Sequence, residues 1–327
     1  MQAEGTSERQ VTVVGAGPAG LTAALALSEK GVPVTVLEAS PTEVGGISRT
    51  VVYKGYRFDV GGHRFFSKSR EIEELWTRIL PNDMILCNRK SRIYYKGVFF
   101  SYPLRPVEAV LGLGLLESML CVKSYAEARV RPHPHPSNFE EYVTNQFGAR
   151  LYEIFFKNYT EKVWGIPCTE ISADWVAQRI KGLSLWTAAY EAVRRRFQRA
   201  GGGEVVKTLI EEFRYPRLGP GMLWEACADR IRELGGEVLL GHTVDDLELD
   251  GDGRWRVGGL GPEGERFERP ASDVINTGPI RSMMTWLKPD APKGVLEAAG
   301  ALRYRDFLTV GLIARGADRF DDQWIYL

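Results

Sequence analysis

The first apolar run, Val11, Val13 and Val14, ends at Gly15 and carries no strong polar alternation. Such a run predicts a parallel strand buried on both faces. Pro18 to Lys30 reads as a helix, with Pro18 in the first turn, where its missing N–H costs nothing, and Gly31 as the C-terminal cap. Val34 to Glu38 is a second buried strand. Another helix and a third parallel strand would continue a plain dinucleotide-binding half. Instead, Gly45-Gly46 is followed by Thr50–Tyr53 and Arg57–Val60 around a Gly55 turn, which predicts a short antiparallel excursion. Helical patterns then dominate from Lys68 to about Arg199, interrupted by a hairpin, Ser91–Tyr102, turning at Lys96-Gly97. Within them, Val107–Val122 is the longest apolar stretch after the first helix. It is shorter than the ~20 residues of a membrane span and predicts a buried helix rather than one lying on a membrane surface.

Ala200 to Gly203 reads as a hinge or exposed loop. Beyond it, Met222–Leu234 is an amphipathic helix capped by Gly235-Gly236. Strands follow at Val238–Leu240, Thr243–Leu249, Arg254–Val257 and Ser272–Asn276, and strand character returns at Phe307–Ala314 and Gln323–Leu327. The fold class is therefore α/β: a Rossmann-like nucleotide-binding domain, split in sequence, with a mostly helical second domain. The expected division is 1–66 and 204–280 for the first, and 67–203 and 281–327 for the second.

Composition narrows the function classes. Lys plus Arg and Asp plus Glu both number 42, so no net field favours nucleic acid. Cys87, Cys121, Cys168 and Cys227 form no CxxC pair, which argues against a zinc site, a redox dithiol or a disulfide framework and points to a reducing, cytoplasmic compartment. No metal site is expected. The polar stretch Met1–Gln10 has no apolar core of a signal peptide. The basic run Arg194-Arg195-Arg196 with Arg199 reads as a solvated helix face.

Three segments carry chemistry. Gly15-Ala16-Gly17-Pro18-Ala19-Gly20 has the GxGxxG spacing at a strand-to-helix turn. Gly15 allows the tight turn, Gly17 lets backbone approach a pyrophosphate, and Gly20 lets helix and strand pack closely, while the helix N-terminus offers N–H groups to phosphate. Glu38 ends the second strand 18 residues later, where a carboxylate can accept ribose hydroxyls. This spacing alone does not separate NAD from FAD. Gly45, Gly46 and Arg49 could add a second phosphate contact, and Gly61-Gly62-His63 could lie against a flat ring. His63 is a candidate for proton transfer, with a place beside the ring favoured over that role.

Together these motifs resemble the glutathione-reductase-type FAD fold. They resemble in particular the branch that holds amine oxidases, protoporphyrinogen oxidases, carotenoid desaturases and UDP-galactopyranose mutase. Tyr159-Thr160-Glu161-Lys162-Val163-Trp164-Gly165 is similar to the mutase segment lining the sugar-nucleotide cleft, and Val274–Ile280 to the mutase strand that returns to the flavin. Tyr102-Pro103 ahead of an apolar helix also fits that group. The resemblance implies FAD as cofactor. Gly15, Gly17, Pro18, Ala19 and Gly20 would hold the pyrophosphate, and Glu38 with Ala39 the adenosine ribose. Gly45, Gly46 and Arg49 would cover the phosphates and ribityl chain, and Gly61, Gly62 and His63 the isoalloxazine. Val244 would meet the adenine, and Thr277, Gly278 and Pro279 would return to the flavin. Tyr159, Trp164 and Arg179 would face the substrate.

The mutase arginine for the sugar diphosphate aligns with Leu183, with Arg179 and Lys181 nearby. The late Gly-Asp segment that leads into the final helix of this fold has no counterpart after Pro279. The chain is accordingly expected to be a piece of a longer protein or to lack that element, with weakened flavin affinity. The function implied is hydride transfer from a small-molecule substrate to flavin. The alternatives are a redox-neutral mutase acting on a nucleotide sugar, and an inactive FAD-fold fragment. No convincing Ser-His-Asp or Cys-His set competes with these readings.

Overall fold

A computed structural model describes residues 9–102, 104, 106–180, 212–316 and 321–327, with the side chains of 106, 107, 110 and 178–180 excluded. The expected hinge Ala200–Gly203, the basic run Arg194–Arg196 with Arg199, and Lys181 and Leu183 lie outside the described residues.

The chain runs β1 (Val11–Val14), α1 (Pro18–Ser28), β2 (Val34–Glu38), β3 (Thr50–Tyr53), β4 (Tyr56–Asp59), α2 (Arg70–Ile79), β5 (Met84–Asn88), β6 (Ser91–Tyr95) and β7 (Val98–Ser101). There follow α3 (Pro106–Leu113), α4 (Leu115–Val130), α5 (Phe139–Phe147), a π-helical stretch Tyr152–Lys157, α6 (Asn158–Trp164) and α7 (Ala173–Ile180). The remainder is β8 (Glu212–Pro216), α8 (Gly221–Glu233), β9 (Glu237–Leu240), β10 (Thr243–Leu249), β11 (Trp255–Leu260), β12 (Arg266–Ala271) and β13 (Asp273–Asn276). It ends with α9 (Ile280–Trp286), β14 (Leu287–Lys288), α10 (Lys293–Gly300) and β15 (Trp324–Tyr326). These elements form two compact units, residues 1–87 with 213–313 and residues 88–212 with 314–327.

The first unit is layered on a parallel sheet of order β13-β1-β2-β9. Val13 pairs with Val36 on one side and Ile275 on the other, and Leu37 pairs with Leu239. Side chains alternate between the two faces of a strand, so each strand feeds two cores. Val11, Val13, Val34 and Val36 pack under α1 and α8 with Leu21, Leu25, Leu223, Cys227 and Ile231. Val14 and Leu37 point the other way, onto Val244, Leu247, Val257 and Ala271 of an antiparallel layer ordered β12-β11-β10. The result is a helix layer, a parallel sheet and an antiparallel sheet, which places the carboxyl ends of β1 and β2 at one edge. β3 and β4 form the expected hairpin.

The second unit packs α4 to α7 around Phe139, Val143, Phe147, Leu151, Tyr152, Cys168, Ile171 and Val176. A three-stranded sheet β15-β6-β7 flanks it. The hairpin expected at Ser91–Tyr102 is β6–β7, and the strand expected at Gln323–Leu327 is β15, parallel to β6.

Three expectations are corrected. Phe307–Ala314 forms no strand, because no ladder partner meets it among the described residues, and its side chains are exposed. β5 is a strand where helix was expected, because its partner β8, for which no element was expected, lies more than 120 residues away in sequence. Val107–Val122 is not one buried helix: Gly114, at φ 82°, breaks it into α3 and α4, and most of its leucines face outward. All four cysteines are free thiols. Among the described residues, no helix is long and apolar enough to cross a membrane.

Candidate nucleotide-binding site

The turn after β1 is fixed by close backbone packing. Gly20 sits so near the turn that a Cβ there would lie 1.9 Å from the Gly15 carbonyl oxygen, a contact no side chain can make. A Cβ on Gly46 would come within 3.2 Å of the Gly17 Cα, so the Gly45-Gly46 loop rests directly on the GxGxxG turn. The Gly45 N–H donates to the Ala16 carbonyl at 2.8 Å and holds the two loops together.

Gly17 is different. A Cβ there would meet only the Gly46 Cα, at 4.0 Å. Packing within the protein therefore does not demand glycine at 17, but a pyrophosphate lying against the backbone does. No side chain caps the N-terminus of α1 and no acid stands in its first turn, so its free N–H groups and partial positive charge are open to an anion. The residues fit a dinucleotide cofactor, with Gly15, Gly17, Pro18, Ala19 and Gly20 forming the cradle.

Glu38 stands at the end of β2 beside this turn. Its Oε2 accepts from the Ala16 N–H at 2.6 Å, and its Oε1 from the Ser40 N–H at 2.9 Å. The two backbone donors aim the carboxylate, and each oxygen keeps a further lone pair for a diol. Ala39 lies exposed between Glu38 and Ser40. The strand hydrogen bonds continue into β10: Gly241 N–H donates to the Ser40 carbonyl and His242 N–H to that of Glu38, both at 2.9 Å. Buried Val244 follows, just ahead of a register shift in the β10–β11 ladder, so it shares the Glu38 edge of the sheet.

Thr277 closes the cradle from the other side. Its N–H and its hydroxyl both donate to the Val14 carbonyl, at 2.9 and 2.8 Å, and the hydroxyl also reaches the Gly15 carbonyl at 3.3 Å. Gly278 is folded back on Asn276, whose side-chain oxygen accepts its N–H at 3.3 Å, and Pro279 leads into α9.

Arg49 and His63 serve loop structure here. The Arg49 guanidinium donates to the Gly46 carbonyl at 3.0 Å and pairs with Glu43 at 3.3 Å. His63 Nε2 donates to the carbonyls of Ile47 at 2.9 Å and Val60 at 3.1 Å, and the Ser48 hydroxyl lies 3.5 Å from Nδ1. Carbonyls only accept, so Nε2 carries the proton. In this arrangement the imidazole ties the Gly46–Ser48 loop to the Gly61-Gly62 turn. Gly61 faces the Phe307 ring. A groove of about 500 Å³ runs between Val51, Tyr53, Phe58 and Asp59 on β3–β4 and Thr309, Gly311 and Ile313.

Sequence reasoning passed over the Asp59–Tyr215 pair, in which the Tyr215 hydroxyl donates to the Asp59 carboxylate. Burial raises the Asp59 carboxyl above the usual carboxylate range, against the pull of the Tyr215 hydrogen bond and of nearby His63. The Tyr215 phenol is pushed far up by burial and by Asp59. Asp59 stands two residues before the Gly61-Gly62 motif, but nothing in the sequence pointed to a partner 156 residues away.

In the helical unit, Tyr159 and Trp164 do not meet. They are five residues apart on α6, about 140° round the helix. Tyr159 packs edge-on against Tyr326 at 5.1 Å, and Tyr326 lies 5.1 Å from Tyr102. The Arg89 guanidinium stands 5.5 Å above the Tyr102 ring. Trp164 instead meets Trp175 edge-on at 4.9 Å. Tyr159, half-exposed, has its phenol raised by burial and then by Tyr102. Tyr326 was the unread member of this cluster, and its alternation with Trp324 on a strand was the available signal. Arg179 lies on α7, with its side chain outside the described residues. Among the described residues, no group of His, Cys, Asp and Glu could hold a metal ion.

The curated relatives cover parts of the chain. Protoporphyrinogen oxidase 2, chloroplastic/mitochondrial, of Arabidopsis thaliana is 34% identical over 112 residues, 33% of this chain and 22% of that protein. A probable UDP-galactopyranose mutase of Klebsiella pneumoniae is 26% identical over 179 residues, 51% of this chain and 44% of that protein. The matched part is thus less than half of each of these relatives. Among solved structures, reduced UDP-galactopyranose mutase shares the fold with a TM-score of 0.74 at 24% identity, over 90% of this chain and 62% of that one. The pattern of the flavin containing amine oxidoreductases matches residues 18–319. The chain, with its dinucleotide cradle, belongs to that family, and its cofactor is FAD.

Proposed function

We propose that the protein is an FAD-dependent oxidoreductase that takes a hydride from a small-molecule substrate. The observation that carries this reading is the glycine-and-Glu38 cradle within a chain matched to the family over residues 18–319. In it, Gly15, Gly17, Pro18, Ala19 and Gly20 bind the pyrophosphate. Glu38 and Ala39 bind the adenosine ribose, and Val244 meets the adenine. Gly45, Gly46 and Arg49 cover the phosphates, while Gly61, Gly62, His63, Thr277, Gly278 and Pro279 border the ring. When bound, the flavin supplies the hydride acceptor. The protein's own part is to bind, to orient and to exclude water. We assign the position of His63 to loop anchoring, since both ring nitrogens are engaged. Tyr159, Trp164 and Arg179 of the helical unit are assigned to the substrate.

A second reading, redox-neutral rearrangement of a nucleotide sugar, draws support from the 179-residue match to the Klebsiella protein and from Tyr159 beside Tyr102 and Tyr326. Anaerobic mixing of oxidised holoprotein with candidate substrates distinguishes the two. Bleaching of the flavin by substrate alone supports the oxidoreductase. Turnover only after dithionite reduction, with no net redox change, supports the mutase. Purified protein that neither carries flavin nor takes it up overturns both.

A further inference from the structure

α4 buries Cys121 and Ala128 but leaves most of its large apolar side chains in solvent. Toward the unit's interior it turns polar groups: Glu117 pairs with Arg150, Ser118 is buried, and the Ser124 hydroxyl accepts the Arg150 N–H at 3.0 Å. Toward solvent it turns Leu115, Leu116, Met119, Leu120 and Val122, and Leu111 continues the patch from the end of α3. Leu111 is 79%, Leu115 73% and Leu116 70% exposed. Scattered exposed leucines are ordinary, but a contiguous set at the tip of a helical elbow marks an interaction surface.

Charge says what the surface meets. Past the apolar tip, the outward charged groups are Lys123, Glu127, Arg129 and Arg131, three cations to one carboxylate, with exposed Val130 among them, and Glu127 is paired with Lys123 at 3.7 Å. The nearby Glu108 and Glu117 are turned inward, on the Ser101 N–H and on Arg150. Lys123 lies eight residues past Leu115, about 12 Å along the axis. That lies just beyond the ~5–10 Å to which apolar groups sink at an interface, so a tip buried to that depth leaves the Lys123 ammonium at the headgroups. The geometry points to an anionic lipid surface as the partner: the α3–α4 elbow enters the acyl boundary, and Lys123, Arg129 and Arg131 meet phosphate headgroups. This attachment lies on the surface and is not a membrane span; among the described residues no helix is long and apolar enough to cross.

The test is co-sedimentation of the 327-residue chain with phosphatidylcholine vesicles, with and without phosphatidylglycerol. The chain should pellet with the mixed vesicles. Leu116→Glu with Met119→Glu should weaken binding at least about tenfold, because each buries a charge in the acyl boundary. Reversal of Lys123, Arg129 and Arg131 to Glu should weaken binding to the mixed vesicles about a hundredfold and leave phosphatidylcholine unaffected. These side chains are exposed, so circular-dichroism melts should match wild type, and Leu116→Ser is a milder companion. Wild-type protein left in the supernatant with both vesicles overturns the proposal. So does binding that the Leu116 substitutions leave unchanged. Self-association seen by light scattering and abolished by Leu116→Glu, without vesicle binding, assigns the face to a second copy of the chain instead.

Discussion

Glu38→Ala should destabilise the protein even when no cofactor is bound. The carboxylate accepts two backbone donors, Ala16 N–H at 2.6 Å and Ser40 N–H at 2.9 Å. A hydrogen bond to a charged group contributes about 1.5–3 kcal/mol when buried. Ala16 is buried, so water cannot replace its lost acceptor, whereas Ser40 is half-exposed and regains much of its bond from solvent. The sum is about 2 kcal/mol, or a fall of about 4–8 °C in Tm for a unit of this size. Glu38→Gln should land between, because its amide offers one oxygen and sets an NH2 against the other donor. Differential scanning fluorimetry of apoprotein measures this, and titration with FAD follows separately. An apo Glu38→Ala protein that melts within about 1 °C of wild type, while failing to bind FAD, would refute the structural tie and leave Glu38 as a ribose ligand alone.

Gly17→Ala and Gly20→Ala should separate ligand from packing. The first should keep the apo Tm and weaken FAD at least about tenfold by titration, since its Cβ intrudes only on the phosphate side. The second should fail to give folded protein by circular dichroism, since its Cβ would lie 1.9 Å from a backbone oxygen. Asp59 has a folded-state pKa above its unfolded value, so its favourable contribution is complete below the unfolded pKa and is lost as pH rises through the folded one. Asp59→Asn should therefore gain stability relative to wild type as pH rises across the carboxylate range, read from paired melts, and a difference that falls with pH contradicts this. The buried Cys227 thiol is pushed up to about 12 by burial and then by Glu29. It should resist iodoacetamide in native protein and react after denaturation, as mass spectrometry of tryptic peptides would show.

The nucleotide end of the fold was legible because its signals are local. Val11 to Glu38 carries strand, turn, helix and strand in uninterrupted order, and the glycine spacing sets the cradle. β12 was not read, because Arg266, Glu268, Arg269 and Pro270 give it the composition of a loop, and its pairing with β11 supplies what propensity does not. α4 was read only in part, since Cys121 and Ala128 are buried but its leucines are exposed. Its apolar stretch implied burial, but Arg150 and the Ser124 hydroxyl draw its polar side inward. The bonding of His63 was not legible, since its partners are backbone carbonyls that every sequence has.

The Thr277 hydroxyl, bonded to the Val14 and Gly15 carbonyls, also bears on how the protein is made. β1 and β2 are synthesised first, but both of their sheet neighbours, β9 and β13, come more than 190 residues later. Loop closure over such a separation precedes any contact that rewards it. On the ribosome, the glycine turn after β1 therefore stays open on one flank until Thr277 has emerged. The two flanks of the cradle are thus made far apart in time, and the glycines wait for the threonine that closes over them.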